Sequence, residues 1–436
     1  MLIDEALSVR KAQRFLMKSQ YWPREEIDRH QNRKLRLLVR NAYDNVPYYH
    51  EALRKLNLRP EDIRTKSDII KLPILRKSDL RGNLDRMLAS NLKALAMPSQ
   101  TGGSTGEPLK FYTQKETWKW TTAARYRAWS WCGYEPGDRM VELWGTPFEI
   151  KELERFSAKL RNTLLRKMTL NCFTMSDESM AEYARQMQAF KPKVLRGFTS
   201  AVYLFAKYVS EHRIKGIQPK SVITTAENLY DFQRKKIEET FGCPVYDGYG
   251  SRETSLSAQQ CEAKDGYHIS EENSIVEFLK DGEPVSPGES GDIVITDLHN
   301  QVMPWIRYSI EDVGRPAGEK CSCGRTLSMI KSIEGRIHDI IVTPDGRRVP
   351  GEFFPHLFKD VTGIKEYQIY QGSKDGLSVF IVRDSAFSEK EASYLLRHMR
   401  EYLGSQIAIE MKYVDEIAKS PSGKRRFTIS AVSPDN

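Results

Sequence analysis

Ser99-Gln-Thr-Gly-Gly-Ser-Thr-Gly-Glu-Pro108 is the stretch that decides how this chain reads. Between Thr101 and Gly106 it packs three glycines (Gly102, Gly103, Gly106) and three small hydroxyl residues (Thr101, Ser104, Thr105), and Pro108 closes it. Such a loop can turn successive backbone N–H groups and hydroxyls onto one polyanion, because glycine permits close approach and positive φ. It lacks the Gly-Lys-Ser/Thr ending of the common NTPase loop and the G-x-G-x-x-G dinucleotide fingerprint. By itself a Gly/Ser/Thr-rich stretch is more often a flexible surface loop, so its meaning rests on the segments downstream of it in the chain.

A chain of 436 residues exceeds what one hydrophobic core usually serves, which sets two or more domains as the expectation. Composition is that of an ordinary soluble globular protein, with no apolar run of membrane-span length. The opening MLIDEALSVRKAQRF carries acidic residues early and no apolar core, so it does not read as a signal peptide, and the cytoplasm is expected. Net charge is +9, spread along the chain, which suits a solvated surface or attraction of polyanions such as ATP or CoA. No nucleic-acid module is present, and no nucleic-acid partner or membrane span is expected.

The six cysteines are Cys132, Cys172, Cys243, Cys261, Cys321 and Cys323. Cys321-Ser-Cys323 places two thiols one residue apart, and Cys261 and His268 lie upstream. Together the four could make a closed Cys3His zinc site, although the spacing is not that of a zinc finger and unligated thiols are an equal reading of the chemistry.

The first hundred residues read as charged helices broken at Val46-Pro-Tyr-Tyr49 and Lys71-Leu-Pro-Ile74, and helical periodicity returns over Trp118–Trp131 and Met180–Phe190. From Lys191 short apolar runs alternate with helices (Val194-Leu195, Ala201–Val209, Ser221–Thr224, Tyr230–Phe241, Val245–Tyr249), the pattern of a layered α/β domain. After Cys261 the texture is β-rich, with Ser274–Leu279 and Asp292–Thr296 as strands and Gly335–Val342 opening another unit. The last hundred residues combine strands (Glu366–Tyr370, Leu377–Val382, Glu410–Val414) with a helix near Ser388–Leu403. The fold class predicted is α/β: a large N-terminal domain of several α/β subdomains, residues 1–335, and a small C-terminal α+β domain, residues 336–436.

Four segments line up behind the glycine loop: Thr225-Ala-Glu227, Asp247-Gly-Tyr-Gly-Ser-Arg-Glu253, Trp305-Ile-Arg-Tyr-Ser-Ile-Glu-Asp-Val-Gly314 and Ser420-Pro-Ser-Gly-Lys-Arg-Arg426. In this order, with Thr101-Gly-Gly-Ser-Thr-Gly-Glu-Pro108 ahead of them, they resemble the adenylate-forming acyl ligases, and specifically the phenylacetate–CoA ligase-like branch. Val46-Pro-Tyr-Tyr49, Ile69–Asp79 and the Cys-x-Cys-Gly element are similar to that branch's own signatures, so the resemblance spans nearly the whole chain.

The resemblance implies that a carboxylate attacks the α-phosphorus of ATP, releasing pyrophosphate, and that a second nucleophile then displaces AMP. Two anions must be brought together, so charge stabilisation and alignment carry the catalysis. Thr101, Gly102, Gly103, Ser104, Thr105 and Gly106 would hold the phosphates, and Glu253 a Mg2+ ion. Tyr249 and Asp247 would meet the adenine, and Asp312 the ribose hydroxyls; Ala226, beside the reacting carboxylate, Glu227 and Gly250 complete the nucleotide-binding set. Arg336 would reach the phosphate or ribose side, and Lys424 would bridge the attacking carboxylate and the α-phosphate. The resemblance favours zinc at Cys261, His268, Cys321 and Cys323. Acyl-pocket candidates are Trp144, Phe148, Phe198, Thr199 and Tyr203, mostly aromatic, which favours an aryl or arylacetic acid.

Partners expected are a small-molecule carboxylic acid, ATP, and CoA or another acyl acceptor, with a homodimer left open. Capsule-biosynthesis members of the branch imply an alternative, delivery of the acyl group to an amine or a carbohydrate. A degenerate nucleotide-binding protein is the reading from another class. Two departures from the family pattern bear on this: His338 stands where an acidic hinge residue is usual in a domain pair that rotates between half-reactions, and Ile310-Glu311 replaces the Thr-Gly before Asp312.

Overall fold

The computed structural model describes residues 2–80, 82–101, 109–144, 162–172, 175–336, 341–345, 348–349, 353–358, 361–418 and 426–432. The charged opening forms helices Leu2–Ser19 and Arg24–Asn45. Pro47 then opens helix Pro47–Lys55 from its first turn, where a missing N–H costs no hydrogen bond. Strands β1 (Met97–Gln100) and β2 (Lys110–Thr113), which flank the glycine-rich stretch in sequence, pair antiparallel. Helix Lys115–Trp131 comes next.

Five strands make a parallel half-sheet: β3 (Met140–Trp144), β4 (Lys167–Asn171), β5 (Val194–Phe198), β6 (Ser221–Thr225) and β7 (Val245–Gly250), in spatial order β4-β3-β5-β6-β7. Helices Asp177–Phe190, Thr199–Glu211 and Asp231–Phe241 cover one face, against Val141, Leu143, Leu195 and Val222. Trp129 of helix Lys115–Trp131 covers the other, against Met140, Val194 and Ile223. Burial on both faces is what βαβ crossovers produce. Strands β3 and β4 are not announced by the sequence pattern, because Glu142 and Lys167 interrupt their apolar character; Glu142 is balanced by Arg196 on β5.

The sheet then turns antiparallel through β8 (Ser257–Gln260), β9 (Tyr267–Ile269), β10 (Ser274–Lys280), β11 (Glu283–Pro284), β12 (Gly291–Asp297), β13 (Tyr308–Pro316) and β14 (Met329–Arg336). The full order is β11-β10-β12-β13-β14-β9-β8-β7-β6-β5-β3-β4, so β7 is where the direction changes. Laid flat, β7 and β13 would stand four strand spacings apart, about 19 Å. Instead Tyr249 of β7 donates a 2.7 Å hydrogen bond to Asp312 of β13, so the sheet curls and its two halves face one another.

A short hairpin, β15 (Ile341–Val342) with β16 (Arg348–Val349), precedes a second sheet. That sheet holds β17 (Ile364–Ser373), β18 (Gly376–Arg383), β19 (Ala408–Tyr413) and β20 (Thr428–Ser430) in order β19-β18-β17-β20. Helix Glu389–Leu403 packs Leu395, Met399 and Leu403 into a core of its own with Ile369, Val379 and Ile381. The architecture is the predicted one: a large mixed α/β unit with a small α+β unit at the C-terminal end.

Candidate functional site

Parallel strands present their C-terminal ends, and the loops leaving them, to one crevice, and a change of strand direction widens it. Phe198, Thr225 and Gly248 stand side by side in register on β5, β6 and β7. The chain leaves these strands as Thr199, as Ala226-Glu227 and as Ser251–Glu253. The Thr225–Glu227 and Asp247–Glu253 segments therefore meet because their strands are neighbours.

Thr101 anchors one foot of the glycine loop. Its N–H donates to the Leu109 carbonyl at 2.9 Å and its hydroxyl accepts from the Leu109 N–H at 2.9 Å, so Thr101 closes the loop. Gly102, Gly103, Ser104, Thr105 and Gly106 lie outside the described residues, as do Phe148, His338 and Lys424.

Ala226 has φ +72°, a left-handed value that an L-residue adopts at a cost of about 1–2 kcal/mol. The turn so formed sends Glu227 back to the start of helix Thr199–Glu211, where its carboxylate accepts from the Ser200 N–H (2.7 Å) and hydroxyl (3.1 Å). The Glu227 side chain thus caps a helix, and Ser200 is its unforeseen partner. A negative charge is favoured there by the free N–H groups and the helix dipole.

Asp247 is buried, and accepts from the Thr224 and Tyr267 hydroxyls at 2.7 Å each. Burial pushes its pKa up to about 6, against the pull of these two donors. Thr224 stands opposite Asp247 in the β6–β7 register, which the strand pattern alone could have revealed. Gly248 and Gly250 are explained by the close approach of β8. A Cβ on Gly248 would meet Gln259 Oε1 at 2.6 Å, and one on Gly250 the Leu256 carbonyl oxygen at 2.9 Å. Glu253, half-buried just beyond β7, accepts from the Ser251 hydroxyl at 2.8 Å.

Asp312 comes to this crevice from the other half of the sheet. Arg336 stands opposite it in the β13–β14 register. The leader segments brace the strand that carries it. Tyr49 donates to the Pro304 carbonyl at 2.9 Å and accepts from the Ile306 N–H at 3.1 Å. Leu75 exchanges backbone hydrogen bonds with Arg307 and Ser309, each 2.9 Å. Glu311 takes φ +63°, the left-handed conformation glycine adopts freely, and its carboxylate pairs with Lys77 at 2.6 Å. The replacement of Thr-Gly by Ile310-Glu311 is accommodated by this strained residue and its ion pair.

Trp144 and Phe198 lie with ring centroids 4.4 Å apart at the mouth of β3 and β5. Thr199 is buried and donates to the Glu227 carbonyl at 3.1 Å. Tyr203 packs edge-on against Phe232 at 5.6 Å. Tyr230 reaches Phe427 of the C-terminal unit at 6.4 Å, and Phe427 continues to Tyr367 at 5.1 Å. An aromatic chain therefore joins the two units beside the crevice.

Cys261, His268, Cys321 and Cys323 converge elsewhere, at the turns of β8, β9 and the β13–β14 connection, with all four ligand atoms within 4.8 Å of one another. Cys261 Sγ lies 3.5 Å from Cys321 Sγ, and Cys323 Sγ 3.3 Å from His268 Nε2. A tetrahedron with Zn–S bonds of about 2.3 Å has edges of about 3.8 Å, so this spacing fits a four-coordinate ion. His268 Nδ1 faces the Leu327 carbonyl at 3.4 Å, leaving Nε2 for the cluster, and burial holds the imidazole pKa down to about 4. A neutral imidazole and cysteine thiolates are the donor set zinc takes.

No helix among the described residues is long and apolar enough to cross a membrane. Residues 341–431 match the family described as the CapK C-terminal domain. The chain is 24% identical over 408 residues to Protein CapK of Staphylococcus aureus, covering 92% of this chain and 89% of that one. It is 23% identical over 427 residues to a phenylacetate-coenzyme A ligase of Thermus thermophilus, covering 92% and 94%. In fold it is similar to 2-hydroxyisobutyryl-CoA ligase in its postadenylation state in complex with R3-HIB-AMP, with TM-score 0.77, 19% identity and coverage of 94% and 90%. The chain is thus similar along nearly its full length to CapK and to phenylacetate-coenzyme A ligases, matches the CapK C-terminal domain family over its last hundred residues, and shares the fold of an acyl-CoA ligase.

Proposed function

We propose that this chain is an ATP- and Mg2+-dependent ligase that activates an aryl or arylacetic acid as its acyl-adenylate and passes the acyl group to CoA. The observation that carries the reading is the meeting of Tyr249 and Asp312 across a curled sheet, at the C-terminal ends of the parallel strands. In this reading Tyr249 offers a flat face to the adenine while its hydroxyl holds Asp312, which receives the ribose hydroxyls. Arg336, opposite Asp312, serves the phosphate side, and residues 101–106 cradle the phosphates. Asp247 and Gly250 shape the adenine side, and Glu227, by capping its helix, holds Ala226 beside the reacting carboxylate.

The acid's carboxylate oxygen attacks the α-phosphorus and pyrophosphate leaves; a thiol then attacks the acyl carbon, loses its proton, and AMP leaves. Glu253 is oriented by Ser251 to hold Mg2+, which when bound neutralises phosphate charge. Cys261, His268, Cys321 and Cys323 would hold a zinc ion with a structural role, since protein donors fill all four positions. We place the domain division at residue 336 and the protein in the cytoplasm, where its six free thiols would stay reduced. Similarity to CapK along the chain and the CapK-type C-terminal domain favour, as a second reading, an amine or sugar acceptor in place of CoA.

Acid-dependent exchange of labelled pyrophosphate into ATP, over aryl, arylacetic, fatty, amino and sugar acids, tests the first step. Exchange with aryl acids is expected; silence with every acid, from folded and metal-replete protein, rejects the reading. Tyr249→Phe removes the hydroxyl that holds Asp312, a hydrogen bond to a charged acceptor, so the KM for ATP should rise about ten- to a hundredfold with folding unchanged. An unaltered KM would show that Asp312 needs no such support. Phe427→Ala cuts the aromatic chain three residues after Lys424, and an edge contact of this kind contributes about 0.5–1.5 kcal/mol. Exchange should fall about two- to tenfold while the melting temperature holds; equal losses of activity and stability would assign Phe427 to the core of its own unit.

A further inference from the structure

Asp247 is held from four sides by residues outside the motif that carries it. Its Oδ1 accepts from the Thr224 hydroxyl and its Oδ2 from the Tyr267 hydroxyl, each at 2.7 Å. Gln260 Oε1 accepts from the Asp247 N–H at 3.0 Å, and Gln259 Nε2 donates to the Asp247 carbonyl at 2.8 Å. Arg234, on helix Asp231–Phe241, fixes Gln260 in turn with a 2.9 Å hydrogen bond to Oε1. Register produces the arrangement: Thr224 of β6 stands opposite Asp247, and Gln260 of β8 opposite Tyr267 of β9. Tyr249 lies two residues beyond Asp247, so the two side chains leave β7 on the same face, about 7 Å apart.

Asp247 is 5% exposed, and its carboxyl group is faced by two hydroxyls, with the Arg234 charge one side chain removed behind Gln260. Burial favours the neutral form, while the Thr224 and Tyr267 donors and the Arg234 charge favour the ionised one, and the balance falls at a pKa of about 6. An ionised carboxyl group accepts at about four lone-pair positions, of which these hydroxyls fill two. It is a partner for a further N–H donor. Once protonated it presents an O–H, which is a partner for an acceptor. The exocyclic group of a purine tells the two forms apart, since the amino group of adenine donates and the oxo group of hypoxanthine accepts.

We infer that Tyr267 is a positioning residue for the nucleotide: it holds the Asp247 carboxylate ionised and aimed as the acceptor for the exocyclic amino group of adenine, and so makes the preference for ATP over an oxo-purine nucleotide depend on pH. This rests on the ligase reading, which puts adenine beside Tyr249 and Asp247. As pH falls, Asp247 takes up a proton, loses an acceptor position and gains a donor. Acid therefore weakens ATP binding and strengthens that of ITP.

The test measures KM for ATP and for ITP in pyrophosphate exchange, and binding of each by calorimetric titration of the full chain, between about pH 5 and 8. Both nucleotides carry the same triphosphate, so the ratio of the two constants cancels its titration. ATP should be preferred at least about tenfold at the alkaline end, the scale of one hydrogen bond to a charged group, and the preference should fall as pH drops through about 6. Tyr267→Phe removes a donor that favours the ionised form, so the fall should begin about one to two pH units higher. Near neutral pH the variant should then have lost most of a preference that the wild type keeps. Thr224→Val removes the other donor and should shift the profile the same way, which decides the matter were Tyr267→Phe not to fold. A ratio that is flat with pH overturns the inference. So does a variant that weakens both nucleotides equally at every pH, the mark of a structural role. Exchange with a flat ratio would uphold the ligase reading and reject this one, whereas a pH-dependent preference for ATP in binding, with no exchange for any acid, would do the reverse.

Discussion

Lys424→Ala should lower acid-dependent pyrophosphate exchange about a thousandfold while leaving acyl transfer from synthetic acyl-adenylate within a few-fold of wild type. The first step brings a carboxylate to an anionic α-phosphate, and a lysine between them offsets repulsion that neither reactant can relieve. Two unit charges 4 Å apart at an effective dielectric constant near 20 interact by about 4 kcal/mol, which corresponds to roughly a thousandfold in rate. The second step begins from an adenylate whose carboxylate charge is already gone, so the same lysine has little left to do. The chain just after Lys424 is well anchored: the Arg426 carbonyl accepts from Gln368 Nε2 at 3.0 Å, and the Phe427 carbonyl from the Ile369 N–H at 2.7 Å. The alanine variant should therefore fold as wild type does. Equal loss in both half-reactions would assign Lys424 a structural role and remove it from the mechanism.

Protein purified without chelator should carry about one zinc per chain, and Cys321→Ser should release it and lower the melting temperature by roughly 5–10 °C. The expected effect is large because of where the four ligands sit. Strand β9 has three residues and meets β14 through only two in-register pairs, Met329 with His268 and Ile330 with Tyr267. This short strand is the seam between the half of the sheet that carries Tyr249 and the half that carries Asp312. A metal joining β8, β9 and the β13–β14 connection would staple the seam, and a loss of about 3 kcal/mol would move the midpoint by the stated amount. Tyr267, next to the candidate ligand His268, also holds Asp247, so metal loss should weaken ATP binding beyond its effect on stability. Folded wild-type protein with zinc well below one equivalent would rule the site out.

Several features were legible in the order of residues because they depend on local chemistry. Apolar runs alternating with helical periodicity announce β5, β6 and β7, and the residues leaving those strands are the motif residues. The C-terminal strands and helix Glu389–Leu403 were readable for the same reason. Strands β3 and β4 were not, because the charges within them are balanced by partners on other elements, Glu142 by Arg196 among them. Glu227 could be marked as a site residue, but its role as a cap depends on Ser200, which only the neighbouring strand brings within reach.

By itself, then, the amino-acid order determined the α/β class, the small C-terminal unit, and the set of residues worth asking about, since these derive from periodicity and side-chain chemistry. The tertiary structure alone decided which of them meet. Tyr249 and Asp312 are 63 residues apart and four strands apart in the sheet order, and only its curl brings hydroxyl and carboxylate together. The four metal-ligand candidates span 62 residues of sequence yet lie within one coordination sphere's width, because the β13–β14 connection folds back onto the turn after β8. Sequence records the groups, but the pairing of distant groups is set by strand order and curvature, which long-range packing selects.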